Sequence, residues 1–284
     1  MNKNTYYPKQ IEHVPFYILE KKELEVNPVY PQATPYILTI DESSGASYVL
    51  LGADSSQRIS MSNDDSGVVI ANTLLTTATS RDFTCYFFDT RRQQYLSNRA
   101  IHSETILGIE GRGFELPYPI IIDRRSDLLV TLADLSGAGN TVRLFFNGTK
   151  HYSNEIRKAI DSLSFVNDKC MPYFYTTDSA VTMLASTSAT GYITMNSDFD
   201  FYVHRITSKS TGVYKLKISD SRTNRPWGNG VYHSSCIGNA EYNYDFKMPQ
   251  KLPRNCQLKL DFTDLSTALN SVYITLTGVA VLKN

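Results

Sequence analysis

The feature that most constrains the fold of this 284-residue chain is an internal duplication. The segment 134–142 (DLSGAGNTV) is followed 130 residues later by the similar segment 264–272 (DLSTALNSV), and the same offset joins Gly148 to Gly278. Similarity at a fixed long offset indicates a repeated structural unit. The sequence therefore predicts two versions of one domain in tandem.

Further landmarks occur in the same order in both halves. The matched segments are 59–64 with 193–198, 83–89 with 213–220, and 114–117 with 246–249. The last pair is offset by 132 residues rather than 130, which predicts a two-residue insertion between this landmark and the next. The duplication therefore extends over more than a hundred residues of each half.

Each half has the pattern of β structure. Segments such as 214–218 (YKLKI) and 258–263 (LKLDFT) alternate apolar and polar residues, as a strand with one solvated face does. Tyrosine and phenylalanine, which favour strands, number 19 and 13 against a single tryptophan. Short strands separated by Gly, Pro, Asn and Asp turns predict an all-β chain of two tandem antiparallel jelly-roll or β-sandwich domains.

The first 33 residues fall outside the duplication and contain several prolines. Proline-rich composition predicts an extended N-terminal arm with little core of its own. The arm nevertheless carries one apolar patch, which must pack against this chain's own sandwich or against a neighbouring subunit. We interpret this patch as a candidate interface, formed by Phe16, Tyr17, Ile18 and Leu19.

A second segment outside the repeat joins the two halves. Ile156, Ile160 and Leu163 recur at helical spacing after Ser153, a suitable N-cap, so we predict a short linker helix. The predicted organisation is an arm over 1–33, a first jelly roll over 34–150, a linker over 151–170 and a second jelly roll over 171–284.

Charge and cysteine spacing exclude several classes of function. Lys plus Arg and Asp plus Glu both number 28, so the net charge is zero and direct nucleic-acid binding is not expected. The four cysteines lack the CxxC spacing of zinc or redox sites. Free thiols are favoured over a disulfide between Cys236 and Cys256, although the sequence leaves that bridge open.

Candidate catalytic and metal-binding groups are weak. The triplets His102-Ser103-Glu104 and His233-Ser234-Ser235 occupy matching places, but the G-x-S-x-G elbow of a serine hydrolase is missing. The acidic clusters at 63–65 and 198–200 are interpreted as turns in preference to Ca²⁺ ligands. We expect no enzymatic activity, no cofactor and no metal.

A cluster of aromatic residues offers a candidate binding surface. It lies in the Gly- and Asn-rich stretch 225–245, which we predict to be a large loop, and it comprises Trp227, Tyr232, Tyr242 and Tyr244. Such residues anchor protein interfaces and can also stack on sugars. A protein interface is the preferred interpretation, and a glycan site is the alternative.

The ordered landmarks carry a family resemblance. Each half has an Asp-x-x-Thr/Arg turn (89–92 and 220–223), then Phe-x-Leu/Met-Pro (114–117 and 246–249), an alternating strand, Asp-Leu-Ser and a strand ending at Gly. Over residues 34–284 this pattern resembles virion structural proteins of bacteriophages. Tandem jelly rolls joined by a short helix also resemble the double-jelly-roll major capsid proteins of tailless icosahedral viruses.

The resemblance implies a non-enzymatic protein of a phage particle, in the capsid, a decoration, a vertex or the tail. It further implies self-assembly into trimers or larger oligomers, contacts with other virion proteins, and synthesis in the host cytoplasm. It does not indicate whether a membrane is contacted. A glycan- or receptor-binding β-sandwich module remains the alternative from another class.

Overall fold

The computed structural model describes residues 33–39, 48–63, 67–151, 170–177 and 179–282. The predicted arm, with Phe16, Tyr17, Ile18 and Leu19, and the predicted linker helix after Ser153 lie outside the described residues. Regular structure in the described residues is almost entirely β-strand. No helix among them is both long and apolar enough to cross a bilayer.

The first half of the chain forms two antiparallel sheets. Its elements are β1 (Ala33–Thr39), β2 (Val49–Leu51), β3 (Ser56–Asn63), β4 (Val68–Ala78), β5 (Phe83–Asp89), β6 (Gln94–Tyr95), β7 (Ile101–His102), α1 (Ser103–Ile106), β8 (Phe114–Ile122), β9 (Ser126–Asp134) and β10 (Asn140–His151). One sheet has the order β1-β10-β4-β8, with β2 also pairing β10. The other has the order β3-β9-β5-β6, with β7 also pairing β5.

The second half repeats this arrangement. Its elements are β11 (Cys170–Thr176), β12 (Val181–Met183), β13 (Ser188–Thr194), β14 (Phe199–Ser210), β15 (Tyr214–Asp220), β16 (Pro226–His233), α2 (Ser234–Ile237), β17 (Tyr244–Leu252), β18 (Gln257–Asp264) and β19 (Asn270–Leu282). The sheet orders are β11-β19-β14-β17, with β12 on β19, and β13-β18-β15-β16.

Both halves have the strand order of a jelly roll. When β1 with β2, β6 with β7, and β11 with β12 are each counted as one interrupted strand, each half has eight strands, B to I. The paired sheets then have the orders B-I-D-G and C-H-E-F, as in a jelly roll. The alternating strands direct every second side chain into the core, as β5 does with Phe83, Cys85 and Phe87. The prediction of an all-β tandem jelly roll is confirmed.

The strand register corrects one detail of the predicted duplication. In the D strand of the first half, β4, Leu74 is paired with Phe114 on one side and Phe146 on the other. In the D strand of the second half, β14, Ile206 is paired with Tyr244 and Leu276 in the same way. Phe114 therefore corresponds to Tyr244, and the expected match with Phe246 is wrong by two residues. A two-residue shift keeps every side chain on the same face of a strand, so the alternating pattern does not reveal the error.

The repeated Asp-Leu-Ser segments form the same turn in both jelly rolls. The Asp134 carboxylate accepts hydrogen bonds from Ser136 Oγ at 2.8 Å and Asn140 Nδ2 at 3.3 Å. Asp264 accepts the corresponding bonds from Ser266 at 2.8 Å and Asn270 at 2.9 Å. Burial by itself would raise the pKa of each carboxyl, but these bonds outweigh it and hold both pKa values below the ordinary range. The motif therefore has a structural role.

Candidate assembly surfaces

The two jelly rolls pack directly against each other. The α1–β8 edge of the first contacts the outer face of the second at β14 and β19, where Thr105 Oγ1 lies 2.8 Å from Thr275 Oγ1. Thr207 Oγ1 donates to the Thr105 carbonyl at 2.7 Å, and the buried Arg205 guanidinium donates to the Glu115 carbonyl. Because these buried polar groups form hydrogen bonds across the contact, they favour one relative orientation of the two jelly rolls.

Strand β11 contributes to both jelly rolls. It pairs with β19 in the second, yet the Phe174 side chain is fully buried in the hydrophobic core of the first. The Phe174 amide donates to the Leu96 carbonyl at 2.9 Å, and its carbonyl accepts from the Asn98 amide at 3.2 Å. The Asn98 side chain also bonds both backbone groups of Thr176, at 2.9 and 3.0 Å. The two cores therefore share one strand.

The turn between α2 and β17 also contacts the first jelly roll. Ala240 is buried in the first core, and its amide donates to the Glu104 carbonyl at 2.9 Å. Glu241 forms an ion pair with Arg81, and the Arg112 guanidinium lies 4.3 Å from the Tyr242 ring centroid. Tyr242, predicted as an intermolecular contact, therefore lies where the two jelly rolls of one chain meet, although 63% of it stays exposed.

The other predicted aromatic residues form one cluster on the second jelly roll. The Trp227 and Tyr244 rings both pack on Phe246, with centroids 5.2 and 5.3 Å away, and Tyr232 Oη donates to the Trp227 carbonyl at 3.2 Å. Trp227 and Tyr232 are half-buried against the second core. The prediction of a large loop at 225–245 is wrong, because most of this stretch lies in β16, α2 and the start of β17.

The α2–β17 edge of the second jelly roll differs from its counterpart in the first. Helix residue Thr105 is completely buried by the second jelly roll, whereas the corresponding Cys236 is exposed. The same edge exposes Tyr244 and Met248, at 40% and 59%, and Val231, on β16 just before α2, is 60% exposed. We call this surface the open edge. The sequence analysis did not identify Val231 and Met248, because the sequence of an alternating strand does not distinguish an exposed aliphatic residue from a core residue.

The matched His-Ser pairs cap the two short helices. His102 Nδ1 accepts from the Glu104 amide at 3.3 Å, and His233 Nδ1 accepts from the Ser235 amide at 3.2 Å. His102 is buried, with Nε2 3.2 Å from Asp82 Oδ1 and its ring 4.8 Å from that of Tyr273. Burial lowers the pKa of His102 against the opposing effects of Glu104 and Asp82, so the ring is neutral at pH 7.

The neutral, buried His102 predicts a loss of stability in mild acid. The unfolded chain protonates this residue near its ordinary pKa of 6.5, whereas the folded chain does so only at lower pH, so stability falls as the pH drops below 6.5. The free energy of unfolding should depend less steeply on pH in His102→Asn than in the wild type, by up to about 1.4 kcal/mol per pH unit. Urea titrations at several pH values between neutrality and mild acid measure it.

His233→Asn, at the matching cap, controls for the change of capping residue. Burial also lowers the pKa values of His151 and His204. These two residues account for any pH dependence of stability that remains in His102→Asn. A variant with the same pH slope as the wild type would contradict the assignment to His102.

The other chemically reactive groups have structural partners. None of the four cysteines forms a disulfide, so Cys236 and Cys256 are not bridged. Asp200 pairs with Lys251 at 2.9 Å and Asp198 accepts from Ser197, while residues 64–66 lie outside the described part. In the described part of the chain, no group of three or more His, Cys, Asp or Glu side chains is placed to hold a metal ion.

The strand order and the shared core define a tandem jelly-roll protein. No protein-family model matches the sequence, and no curated protein matches it. Similar solved structures include the major capsid protein P2 of bacteriophage PM2, at 8% identity and a TM-score of 0.45 over 88% of this chain and 98% of that chain.

Two further similar structures have lower TM-scores. One is of Sulfolobus turreted icosahedral virus, at 10% identity and a TM-score of 0.26 over 91% of this chain and 63% of that chain. The other is of the CUB1-EGF-CUB2 domains of rat MASP-1, at 10% identity and a TM-score of 0.22 over 81% and 96%. The jelly-roll assignment itself rests on the strand order described above.

Proposed function

We propose that this chain is a non-enzymatic structural protein of a phage particle and acts by self-assembly. The observation that carries the proposal is that two equivalent edges differ in how far they are buried. The α1–β8 edge of the first jelly roll is buried by the second, whereas the open edge presents apolar side chains to solvent. Exposed apolar patches of this kind are typical of protein interfaces.

The face that would receive the open edge lies on the first jelly roll. Tyr273 and Thr275, which contact the first jelly roll within the chain, correspond to Arg143 and Phe145 on β10. Beside them, Leu50 is 65% exposed, and β2 places it opposite Thr141 of β10. The open edge of one chain packs on this face of the next chain and repeats the contact made within the chain.

A head-to-tail contact of this kind gives either a closed ring or an open filament. Three chains in a ring would present six similar lobes, which is the form we propose for a capsid or vertex component. The zero net charge is compatible with close packing of many chains, because it weakens their mutual repulsion. The virion location, other virion partners and the domain limits at 34–150 and 171–284 belong to the same proposal.

Light scattering of the full chain over a concentration series tests the proposal, with negative-stain images to count lobes. We expect a multi-chain ring for the wild type and at least about ten-fold weaker association for Met248→Glu, because the contact would bury an unpaired charge. Leu184→Glu is the control, since Leu184 is 68% exposed on the turn between β12 and β13, away from the open edge. A monomeric wild type, or unchanged association of Met248→Glu, would contradict the proposal.

A further inference from the structure

The outer face of the β3-β9-β5-β6 sheet carries an aromatic cluster that the sequence analysis did not single out. The Tyr86 and Tyr95 rings are parallel, 6° apart with centroids separated by 4.0 Å, and Phe88 meets Tyr95 edge-on at 4.9 Å. Strand register places Phe88 between Tyr95 and Leu129 in one row. We call these four residues the aromatic face. Tyr95 is 41% exposed, and the ring stacked against it holds its orientation.

The second jelly roll shows that the fold does not require this surface. Strand register gives these counterparts: Tyr86 corresponds to Lys217, Phe88 to Ser219 and Leu129 to Lys259. Lys259 is partly exposed and pairs with Asp261 at 2.9 Å, whereas Ser219 is buried with 3% exposure. Because the same sheet folds with polar residues at these positions, the rings of the first jelly roll are explained better by a ligand than by folding.

The charges beside the aromatic face indicate the kind of ligand. Arg58 is exposed and lies with its guanidinium 5.8 Å from the Phe88 ring centroid, and no carboxylate among the described residues pairs with it. Arg99 is close enough to Tyr86 to oppose the rise that burial and Tyr95 cause in its pKa. Ser60 and Thr131 add hydroxyl groups to the same face of the sheet, in register with Leu129 and Arg58. The surface therefore combines a flat ring, positive charge and hydrogen-bonding groups.

We propose that the aromatic face binds an acidic saccharide, a role beyond assembly. One sugar ring stacks on the exposed side of Tyr95, and its carboxylate or sulfate pairs with Arg58. Ser60 and Thr131 lie on the same face to bond sugar hydroxyls. A single exposed ring on a flat sheet suits one or two sugar units, whereas single-stranded nucleic acid needs a basic groove with successive stacking rings.

Calorimetric titration of the full chain with tetragalacturonate and with sialyllactose tests the proposal. We expect saturable binding of at least one acidic probe, and at least about ten-fold weaker binding by Tyr95→Ala and by Arg58→Gln. Maltotetraose, which is neutral, and inorganic sulfate alone should both bind more weakly. Tyr192→Ala is the matched control, because Tyr192 is 48% exposed on the corresponding face of the second jelly roll.

Three results would overturn the proposal. They are the absence of saturable binding of either acidic probe at millimolar concentration, unchanged binding by Tyr95→Ala, and equal binding of inorganic sulfate. A lower native mass of Tyr95→Ala with no sugar binding by the wild type would assign the aromatic face to a protein contact instead. Met248→Glu should retain sugar binding, so a failure of the assembly proposal is distinguishable from a failure of this one.

Discussion

Truncation of Phe174 should destabilise both jelly rolls although the residue belongs to the second. Its side chain is fully buried in the first core, with its ring centroid 6.4 Å from that of Phe87. We expect Phe174→Ala to lower the free energy of unfolding by about 3–5 kcal/mol, from lost burial and the cavity left behind. Denaturant titration measures the loss. Hydrogen exchange should show weaker protection of β5 amides in the first jelly roll.

The matched control is Phe201→Ala. Phe201 is also fully buried, but only in the core of the second jelly roll. We expect a similar loss of stability with the exchange of β5 amides less affected than in Phe174→Ala. If Phe174→Ala cost less than about 1 kcal/mol, or left the protection of β5 unchanged, the shared core would not couple the two jelly rolls.

Substitution of Gly278 by alanine should strongly destabilise the second jelly roll. A Cβ at this position would lie 2.0 Å from the Tyr202 carbonyl oxygen, and one at Gly148 would lie 1.8 Å from the Ile70 carbonyl oxygen. Both glycines lie where β-bulges shift the register of the central strands. The repeated glycine therefore allows close backbone approach in each jelly roll.

We expect Gly278→Ala to cost at least about 3 kcal/mol, because the central strands must separate to admit the methyl group. Thermal melting should show a midpoint lower by roughly 6 °C or more, or no soluble folded protein. Gly139→Ala is the control, since the nearest atom to its added Cβ is 4.0 Å away. A folded Gly278→Ala protein with a wild-type midpoint would refute the assigned role.

The sequence predicted the architecture because the architecture depends on local, repeated patterns. Alternation in segments such as 214–218 places every second side chain in a core, and turn residues end each strand after a few residues. The repeated Asp-Leu-Ser segment stands out because the same side-chain bonds close the same turn twice. Class, duplication and these turns could all be read without coordinates.

The candidate sites depended on information that local patterns do not hold. Tyr242 and Tyr244 are two residues apart, yet one contacts Arg112 of the first jelly roll and the other lies on the open edge. Tyr86 and Tyr95 come from different strands, and only strand pairing stacks their rings. Strand periodicity fixes which face a side chain occupies, but not which face another domain covers.

The sequence by itself determined an all-β chain with two jelly rolls, because strand alternation and turn chemistry are written in neighbouring residues. Only the tertiary structure decided that β11 supplies Phe174 to the first core, that the α1–β8 edge is covered and that Tyr244 and Met248 of the equivalent α2–β17 edge are exposed. The physical reason is that the burial of a sheet edge depends on packing between segments far apart in the sequence. Such contacts do not produce a periodic pattern of apolar residues in the chain.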